Sequence, residues 1–293
     1  MLKLSVSFKN GLVKKSVPLK TELEKYRDGR DRPLDETFDD KWFQRFFVAL
    51  LLAGQVWLRV IRGKVCGKLV MEHLVTVGLG SLRAVLLIAF FAGMIFTVQS
   101  ARELIRFGAV GAVGGAFAIA FCRELAPVLT AGVVAGQVGS GFAAEIGEMQ
   151  VTDQVDALYM LKTNPVDYLV LPRVVACCVM LPILTIFSVV VGIGGGAFAA
   201  ATFYHLPPGM FLESVRTFLE PWDLVTVALK GLIFGAMIGI IGCAWGLTTT
   251  GGGKGVGRSA TAAVVTSWVA IFMADFFLSL LMFHELAITR GGG

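Results

Sequence analysis

The stretch from Arg123 to Arg173 decides the fold, and it reads RELAPVLTAGVVAGQVGSGFAAEIGEMQVTDQVDALYMLKTNPVDYLVLPR. It begins as an apolar, glycine-rich run that carries an Arg-Glu pair and a proline. It then changes to a short, acid-rich amphipathic segment, and it ends at Asn-Pro and Leu-Pro-Arg before the next apolar run. This order predicts a membrane helix, a short helix exposed to the cytosol, and a re-entry into the membrane.

The composition of the whole chain agrees with a membrane protein. Its 293 residues are 56% hydrophobic and 16% charged, whereas a soluble domain has about 45–50% apolar and about 25% charged residues. Residues 1–83 hold 16 Lys and Arg against 9 Asp and Glu, and basic residues before the first span stay cytoplasmic. No nucleic acid is expected as a partner, since that needs a basic stripe on a polar domain.

Five apolar runs predict an all-α integral membrane protein with one membrane domain over residues 76–284. The predicted transmembrane helices cover about residues 82–100, 109–143, 174–204, 224–247 and 260–283. Between the third and fourth runs, HLPPGMFLESVRTFLEPWD predicts a short amphipathic helix on the far side. Five crossings from a cytoplasmic N-terminus place the short C-terminal tail, residues 285–293, outside.

The residues before the first span predict two further segments. Residues 1–40 are polar and contain no apolar h-region, so we expect a tail without a secretory signal; a weak organelle-targeting segment is the alternative. Residues 41–75 mix aromatic and basic residues, which predicts an amphipathic helix in the membrane interface. A sixth span is the competing interpretation, but the uninterrupted run from Phe46 to Leu58 is shorter than the roughly 20 residues that a span needs.

Four charged residues inside the predicted spans are the candidate substrate-cavity residues: Arg123, Glu124, Lys230 and Asp275. A charge at the bilayer centre costs at least ~2.5–3.5 kcal/mol, so it normally faces a polar cavity or a partner. Pro127 has no N–H, so the carbonyl of Arg123 loses its helical donor beside these charges. Three structural alternatives remain, which are an Arg123–Glu124 pair at an interface, snorkelling of Lys230, and pairing of Asp275 with Lys230.

The acid-rich segment at about residues 145–162 predicts a cytosolic coupling helix that contacts a soluble partner. Val151, Val155, Leu158 and Tyr159 share one helical face, and the acids would steer the segment to basic residues of the partner. A solvated loop is the alternative. The residues predicted to make the contact are Glu145, Glu148, Asp153, Asp156 and Leu158.

Small residues at four-residue spacing mark close helix contacts in two of the spans. They are Gly132, Gly136, Ser140 and Ala144 in the second span, and Gly231, Gly235 and Gly239 in the fourth. Packing within the chain and a dimer seam are both consistent with this spacing.

Nucleotide, metal and cofactor sites are not expected in this chain, and no catalytic residue is predicted. The loop TTTGGGKGVGRS resembles a phosphate-binding loop, but it fails the pattern at Thr248 and Gly255. Any energy source would therefore lie on another chain. The five cysteines form no CxxC pair, which argues against both a zinc site and a disulfide framework.

The opening stretch and the segment WGLTTTGGGKGVGRSATAAVVTSWVAIFMADFFLSLLMF resemble MlaE-type permeases. These are the membrane subunits of ABC systems that move phospholipids between membranes. The pieces REL-P, AAE-G, TDQ-DAL, NP-DYL and LPR fall in the family's order, and the resemblance covers about residues 45–284. It is closest to the cyanobacterial and plastid branch, the trigalactosyldiacylglycerol type. The chain departs from the family pattern at Gln137, where Arg is usual, and at Gly141 and Glu148.

This resemblance implies a non-enzymatic permease for phosphatidic acid-like or other glycerolipids. It implies a homodimer in contact with membrane lipids, ATPase subunits docked on residues 145–162, and a substrate-binding MCE-domain protein outside. Glu124, Lys230 and Asp275 match the family's cavity charges. The implied membrane is the chloroplast inner envelope or a cyanobacterial inner membrane.

Two rival functions remain. An ion- or proton-coupled secondary transporter could use Glu124 and Asp275 as a relay, although such carriers often show paired internal repeats and none is evident here. A membrane scaffold without transport activity would leave the buried charges unexplained.

Overall fold

The computed structural model describes residues 38–61 and 67–290. Within those two ranges the regular elements are all helical, and no strand occurs, which confirms the predicted all-α architecture. The predicted N-terminal tail at residues 1–40 lies outside the described residues except for its last three positions.

Five helical elements are long and apolar enough to cross a membrane, which confirms the predicted number of spans and a multi-pass membrane protein. Spans 1 to 5 are Gly67–Arg106, Val110–Val151, Val166–Tyr204, Pro221–Leu247 and Gly252–Met282. All five begin earlier in the chain or extend further than the apolar runs alone predicted. The difference arises because a helix continues past the hydrocarbon core until a turn residue stops it, whereas the apolar run ends at the first charges.

Span 2 is a stack of helical pieces rather than one regular α-helix. Its pieces are the 3-10 turn Val110–Ala112, α-helix Val113–Ala120, π-turn Phe121–Leu125, α-helix Ala126–Val134, π-turn Ala135–Gly139 and α-helix Ser140–Val151. A π-turn inserts an extra residue into a helix and is frequent at functional sites. The first π-turn ends two residues before Pro127, so the irregularity expected near this proline takes the form of a π-turn that contains Arg123 and Glu124.

The N-terminal helix, Phe38–Ile61, is held against one end of the bundle by its arginines. Arg45 donates from Nη2 to the carbonyl oxygen of Thr248 at 3.3 Å, and Arg59 forms an ion pair with Asp167 at 2.6 Å. These contacts define the inner end of the bundle, which the charge distribution predicts to be cytoplasmic.

The N-terminal helix exposes apolar side chains on one side and buries others in the core. Phe47, Leu50 and Trp57 are exposed, while Val48 and Leu52 are buried in the core. Arg45 and Arg59 bind other parts of the chain, and the interfacial position of this helix stays a prediction. The predicted segment 41–75 is also divided, because residues 67–75 belong to span 1.

The predicted coupling helix at residues 145–162 is also divided. Span 2 continues to Val151, the chain turns at Asp153 in the left-handed region (φ 56°), and a short helix follows at Gln154–Met160. Aspartate adopts this conformation more readily than most residues. A π-turn at Val166–Val170 then leads into the α-helix Leu171–Tyr204 of span 3. We call residues 152–165 the docking segment.

The outer end of the bundle carries the predicted amphipathic helix, Pro208–Phe218. Ser214 donates from its hydroxyl to the carbonyl oxygen of Gly111 at 2.7 Å and fixes this helix to span 2. The helix of span 5 continues to Arg290, past the predicted start of the tail at residue 285. After Gly257 the sequence has no glycine or proline until Gly291, and residues 291–293 lie outside the described residues.

Glycines allow spans 3 and 4 to meet backbone against backbone. A Cβ on Gly235 would lie 2.5 Å from the carbonyl oxygen of Cys177, and one on Gly231 would lie 2.9 Å from Cα of Pro182. Gly239 faces Val174 in the same way. The small residues of span 4 therefore form a contact within the chain.

The small residues of span 2 divide between two environments. A Cβ on Gly132 would overlap the ring of Trp268 in span 5, whereas one on Gly136 would have no atom within 4 Å. Gly132 is thus a packing residue of the chain itself, and Gly136 lies on an exposed surface.

Gly235→Ala is expected to destabilise the contact between spans 3 and 4, because its new methyl group would overlap the carbonyl of Cys177. Overpacking of a tight contact costs about 1–3 kcal/mol. Gly194→Ala is the matched control, since a Cβ there meets no atom within 4 Å. Thermal unfolding of the two detergent-purified variants measures the difference, and equal melting temperatures would contradict this packing.

Candidate functional site: a charge cluster in spans 2, 4 and 5

Lys230 is the centre of a group of charged side chains. Its Nζ lies 3.0 Å from Oε2 of Glu124 and 2.7 Å from Oδ1 of Asp275. It also donates to the hydroxyl of Ser279 at 2.8 Å and to the carbonyl oxygen of Arg123 at 2.8 Å. Ser279 in turn donates to Oε1 of Glu124 at 2.9 Å. Lys230 thus joins spans 2, 4 and 5 at one point.

The contact with the Arg123 carbonyl explains why a lysine stands here. Pro127 cannot donate to the carbonyl four residues before it, and the ammonium group of Lys230 supplies a donor at that position. An unsatisfied backbone carbonyl in hydrocarbon costs several kcal/mol. The charge and the proline therefore compensate for each other.

Arg123 and Glu124 are neighbours in sequence, but they bind different partners. Arg123 donates from Nε to Oδ1 of Asp223 at 2.6 Å, while Glu124 faces Lys230. Asp223 also accepts the backbone N–H of Glu220 at 3.0 Å and so completes a capping box at the start of span 4. Adjacent residues of a helix point in different directions, which is why the expected alternative of an Arg123–Glu124 pair does not form.

The cluster lies in the outer half of the bundle. Lys230 is nine residues past Pro221, or roughly 14 Å at ~1.5 Å per residue. Asp275 is seven residues before Met282, or roughly 10 Å on the same scale. Both of these span ends lie opposite the inner end, so the charges sit closer to the outer surface than to the cytoplasmic one.

A small cleft that is open to its surroundings exposes part of the cluster. The side chain of Lys230 is only 3% exposed and that of Asp223 is 3% exposed, whereas Arg123 is 22% and Glu124 is 39% exposed. One cation and one carboxylate are therefore presented to the cleft, and the other charges hold them in place. The cleft is lined by Arg123, Glu124, Trp222, Asp223, Thr226, Lys230, Ser279 and Met282.

The structure brings together all four residues that the sequence singled out for a cavity, and it adds Asp223 and Ser279. The pairing of Asp275 with Lys230, one of the alternatives considered, is present. Asp223 was assigned to the loop before span 4, although it lies seven residues before Lys230 and hence on the same helical face. Ser279 lies four residues after Asp275 and shares its face in the same way.

The residues predicted for partner contact fall in two places. Leu158 and Tyr159 pack against the core of the chain, so the apolar face assigned to a partner is largely used internally. Glu148 and Asp153 are exposed. Glu145 is exposed as well, but it forms an ion pair with Arg173 at 3.0 Å.

The most exposed apolar side chains of the docking segment directly follow Leu158 and Tyr159 of the predicted face. Met160 is 85% exposed and Leu161 is 74% exposed. The sequence signal for them was the Met-Leu pair at the end of the short helix, directly before the turn at Lys162 (φ 58°). Met160 and Leu161 do not belong to the predicted apolar face of Val151, Val155, Leu158 and Tyr159.

No group of three or more His, Cys, Asp or Glu side chains in the described part of the chain is arranged to hold a metal ion. The cluster is instead a set of ion pairs and hydrogen bonds. Charged side chains at the edge of an apolar environment are able to bind a polar group.

The sequence of the chain is similar to known transporter subunits. Residues 70–281 match the family model described as Permease MlaE. A probable ABC transporter permease protein of Synechocystis sp. is 54% identical over 251 residues, which are 86% of this chain and 95% of that protein. The chloroplast protein TRIGALACTOSYLDIACYLGLYCEROL 1 of Arabidopsis thaliana is 45% identical over 252 residues, or 86% of this chain and 72% of that protein. A probable ABC transporter permease protein of Rickettsia prowazekii is 38% identical over 215 residues, with 73% and 83% covered.

Lys230→Met is expected to destabilise the protein far more than Glu124→Gln does. Removing the cation leaves buried Asp275 without its ion-pair partner, and breaking a buried pair in this way costs about 3–5 kcal/mol. Glu124 is partly exposed, so its neutral variant keeps hydrogen bonds and access to water. Thermal unfolding in detergent measures both variants. Equal losses of stability would show that Lys230 is not the structural centre of the cluster.

Proposed function

Because the chain belongs to the MlaE family and is a permease of an ABC-type transporter, we propose that it moves glycerolipids between membranes with energy from a separate ATPase subunit. The observation that carries this proposal is the cleft in the outer half of the bundle, which exposes Arg123 and Glu124 beside apolar residues. A lipid likewise combines a charged headgroup with apolar chains.

The proposal gives the charged residues different roles. Arg123 binds the phosphate of the headgroup, since a guanidinium forms strong charge-assisted hydrogen bonds to phosphate oxygens. Glu124 accepts hydrogen bonds from hydroxyl or amine groups of the same headgroup. Lys230 and Asp275 are largely buried and position Glu124, which differs from the expectation that they touch the lipid.

The acyl chains would lie along the apolar lips of the cleft. Trp222 is 55% exposed at its edge, and Met282 completes the lining. Beyond them, the outward faces of span 5 expose Phe276 and Phe277. An apolar path therefore leads from the charged cluster to the hydrocarbon, so the headgroup and the chains can be held at once.

Energy would enter through the docking segment. Exposed Met160 and Leu161 would insert into a groove of the ATPase, and the acids Glu148, Asp153 and Asp156 would steer the two subunits together. The glycine-rich loop before span 5 departs from the nucleotide-binding pattern. ATP hydrolysis is therefore assigned to the partner, and this chain catalyses no reaction itself.

Family membership and the relatives support the remaining parts of the proposal. Two copies of the chain would form the membrane unit, and an MCE-domain protein would deliver or receive lipid on the outer side. The plant relative is named for a galactosyl diacylglycerol and is chloroplastic, and another relative is cyanobacterial. These names support a glycerolipid substrate and a location in a plastid inner envelope or a cyanobacterial inner membrane.

Arg123→Gln should reduce ATP-dependent phospholipid transfer by the reconstituted complex by about ten-fold or more, because a hydrogen bond to a charged group contributes about 1.5–3 kcal/mol. Arg102→Gln is the control, since that arginine is exposed at the outer end of span 1. Transfer of labelled phospholipid between liposomes gives the rate. Unchanged transfer by Arg123→Gln would refute the assigned role, and transfer that follows a proton gradient without ATP would support a secondary transporter instead.

Replacing Met160 and Leu161 together by serine should weaken binding of the ATPase subunit, because two exposed apolar anchors of the docking segment are lost. Co-purification of the tagged permease with its co-expressed ATPase measures the effect. Serine at Met210 and Leu212, exposed on the outer helix, is the matched control. If both double variants retain the ATPase equally, the docking segment is not the main contact.

A further inference from the structure

Arg173 is a buried arginine that the transport proposal does not use. Its side chain is 8% exposed, and it stands at the third position of the α-helix Leu171–Tyr204 of span 3. Nη1 donates to the carbonyl oxygen of Leu169 at 2.7 Å, and Nη2 donates to Oε2 of Glu145 at 3.0 Å. Its guanidinium carbon lies 5.5 Å from the ring centroid of Phe142, within the range of a cation–π contact.

These contacts connect the two ends of the docking segment. Glu145 and Phe142 belong to the last helix of span 2, which leads directly into residue 152. Leu169 belongs to the π-turn Val166–Val170, which directly follows residue 165. The side chain of Arg173 therefore links the helix that leads into the docking segment to the π-turn that follows it. We call Arg173, Glu145, Phe142 and Leu169 the clasp.

The clasp also reaches span 1. The ring of His73 meets the ring of Phe142 edge to face, with 6.0 Å between the centroids. Spans 1, 2 and 3 are thus joined at the inner end by contacts that centre on Arg173. Span 2 is the span that carries Arg123 and Glu124 into the outer cleft, so a displacement of the clasp acts on the same element as the lipid site.

The guanidinium of Arg173 uses only part of its capacity for hydrogen bonds. A buried guanidinium is retained where its donors find acceptors, and two of its nitrogens do so here. The third, Nε, is buried without a hydrogen-bond partner among the described residues. A guanidinium with one unused N–H can exchange one acceptor for another when the helices around it shift.

We propose that Arg173 is a positioning residue that makes the docking segment and span 2 move as one unit, so that closure of the ATPase acts on the lipid cleft. This proposal rests on the proposed function, because it assigns a route between the two sites named there. It also gives Glu145 a role inside the permease, in place of the contact with the partner that the sequence suggested.

The test is the amount of lipid transferred per ATP hydrolysed by the reconstituted complex of permease and ATPase. Arg173→Lys keeps the positive charge but cannot bind Glu145 and Leu169 through two separate arms. We expect this ratio to fall at least about five-fold, the lower end of typical coupling between two sites. Arg258→Lys is the matched control, since Arg258 is exposed at the inner end of span 5.

Glu145→Gln provides a second variant in case Arg173→Lys does not fold. The Glu145 side chain is 58% exposed, so its neutral isostere is expected to fold, and it should lower the same ratio. A purely structural role would instead reduce assembly, ATP hydrolysis and transfer in proportion, and the ratio would stay constant. A constant ratio in these variants overturns the clasp.

The same assay separates this proposal from the proposed function. If the wild-type complex hydrolyses ATP and transfers no glycerolipid, the proposed function is wrong, and so is the role proposed for the clasp. If the wild type transfers lipid and the variants keep the wild-type ratio, the clasp alone is wrong.

Discussion

The site depends on one missing hydrogen bond. Pro127 leaves the carbonyl of Arg123 without a backbone donor inside a membrane span, where water does not replace it. The ammonium group of Lys230, from span 4, binds that carbonyl at 2.8 Å. A buried cation then requires carboxylates, which Glu124 and Asp275 supply from spans 2 and 5. The backbone constraint that the proline creates thus accounts for the lysine, and the lysine accounts for the two acids.

This constraint explains why the charged residues within the membrane spans have different roles. Lys230 and Asp275 are fixed by their ion pair, and burial keeps both of them from contact with a ligand. Arg123 and Glu124 both line the cleft, where they bind different partners, Asp223 and Lys230. A site with one guanidinium and one carboxylate at the edge of an apolar surface suits a headgroup with both acceptors and donors. The buried charges hold those two groups in place.

The sequence predicted the number of spans, the far-side helix and the four charged residues, because apolar runs and intramembrane charges are strong local signals. It did not predict Asp223 or Ser279, since both appeared to belong to ordinary segments and only the helical face shared with Lys230 or Asp275 relates them to the site. It also predicted one helix at residues 145–162, whereas the chain turns at Asp153 (φ 56°); aspartate is compatible with both the helical and the left-handed conformation, so its presence alone does not mark the turn. The inward direction of Arg45 and Arg59 likewise depends on partners 203 and 108 residues away in sequence, which no local pattern contains.

Arg123, and not Lys230, is the residue that we propose to bind the phosphate of the transported lipid. Solid-state NMR on the reconstituted permease can measure it directly, through dipolar coupling between the lipid phosphorus and nitrogen-15 in labelled arginine and lysine side chains. If Arg123 binds the phosphate, we expect coupling to a guanidinium nitrogen that disappears in Arg123→Gln, and no coupling to Nζ of Lys230. Coupling to Nζ of Lys230, or guanidinium coupling that persists in the variant, would contradict it.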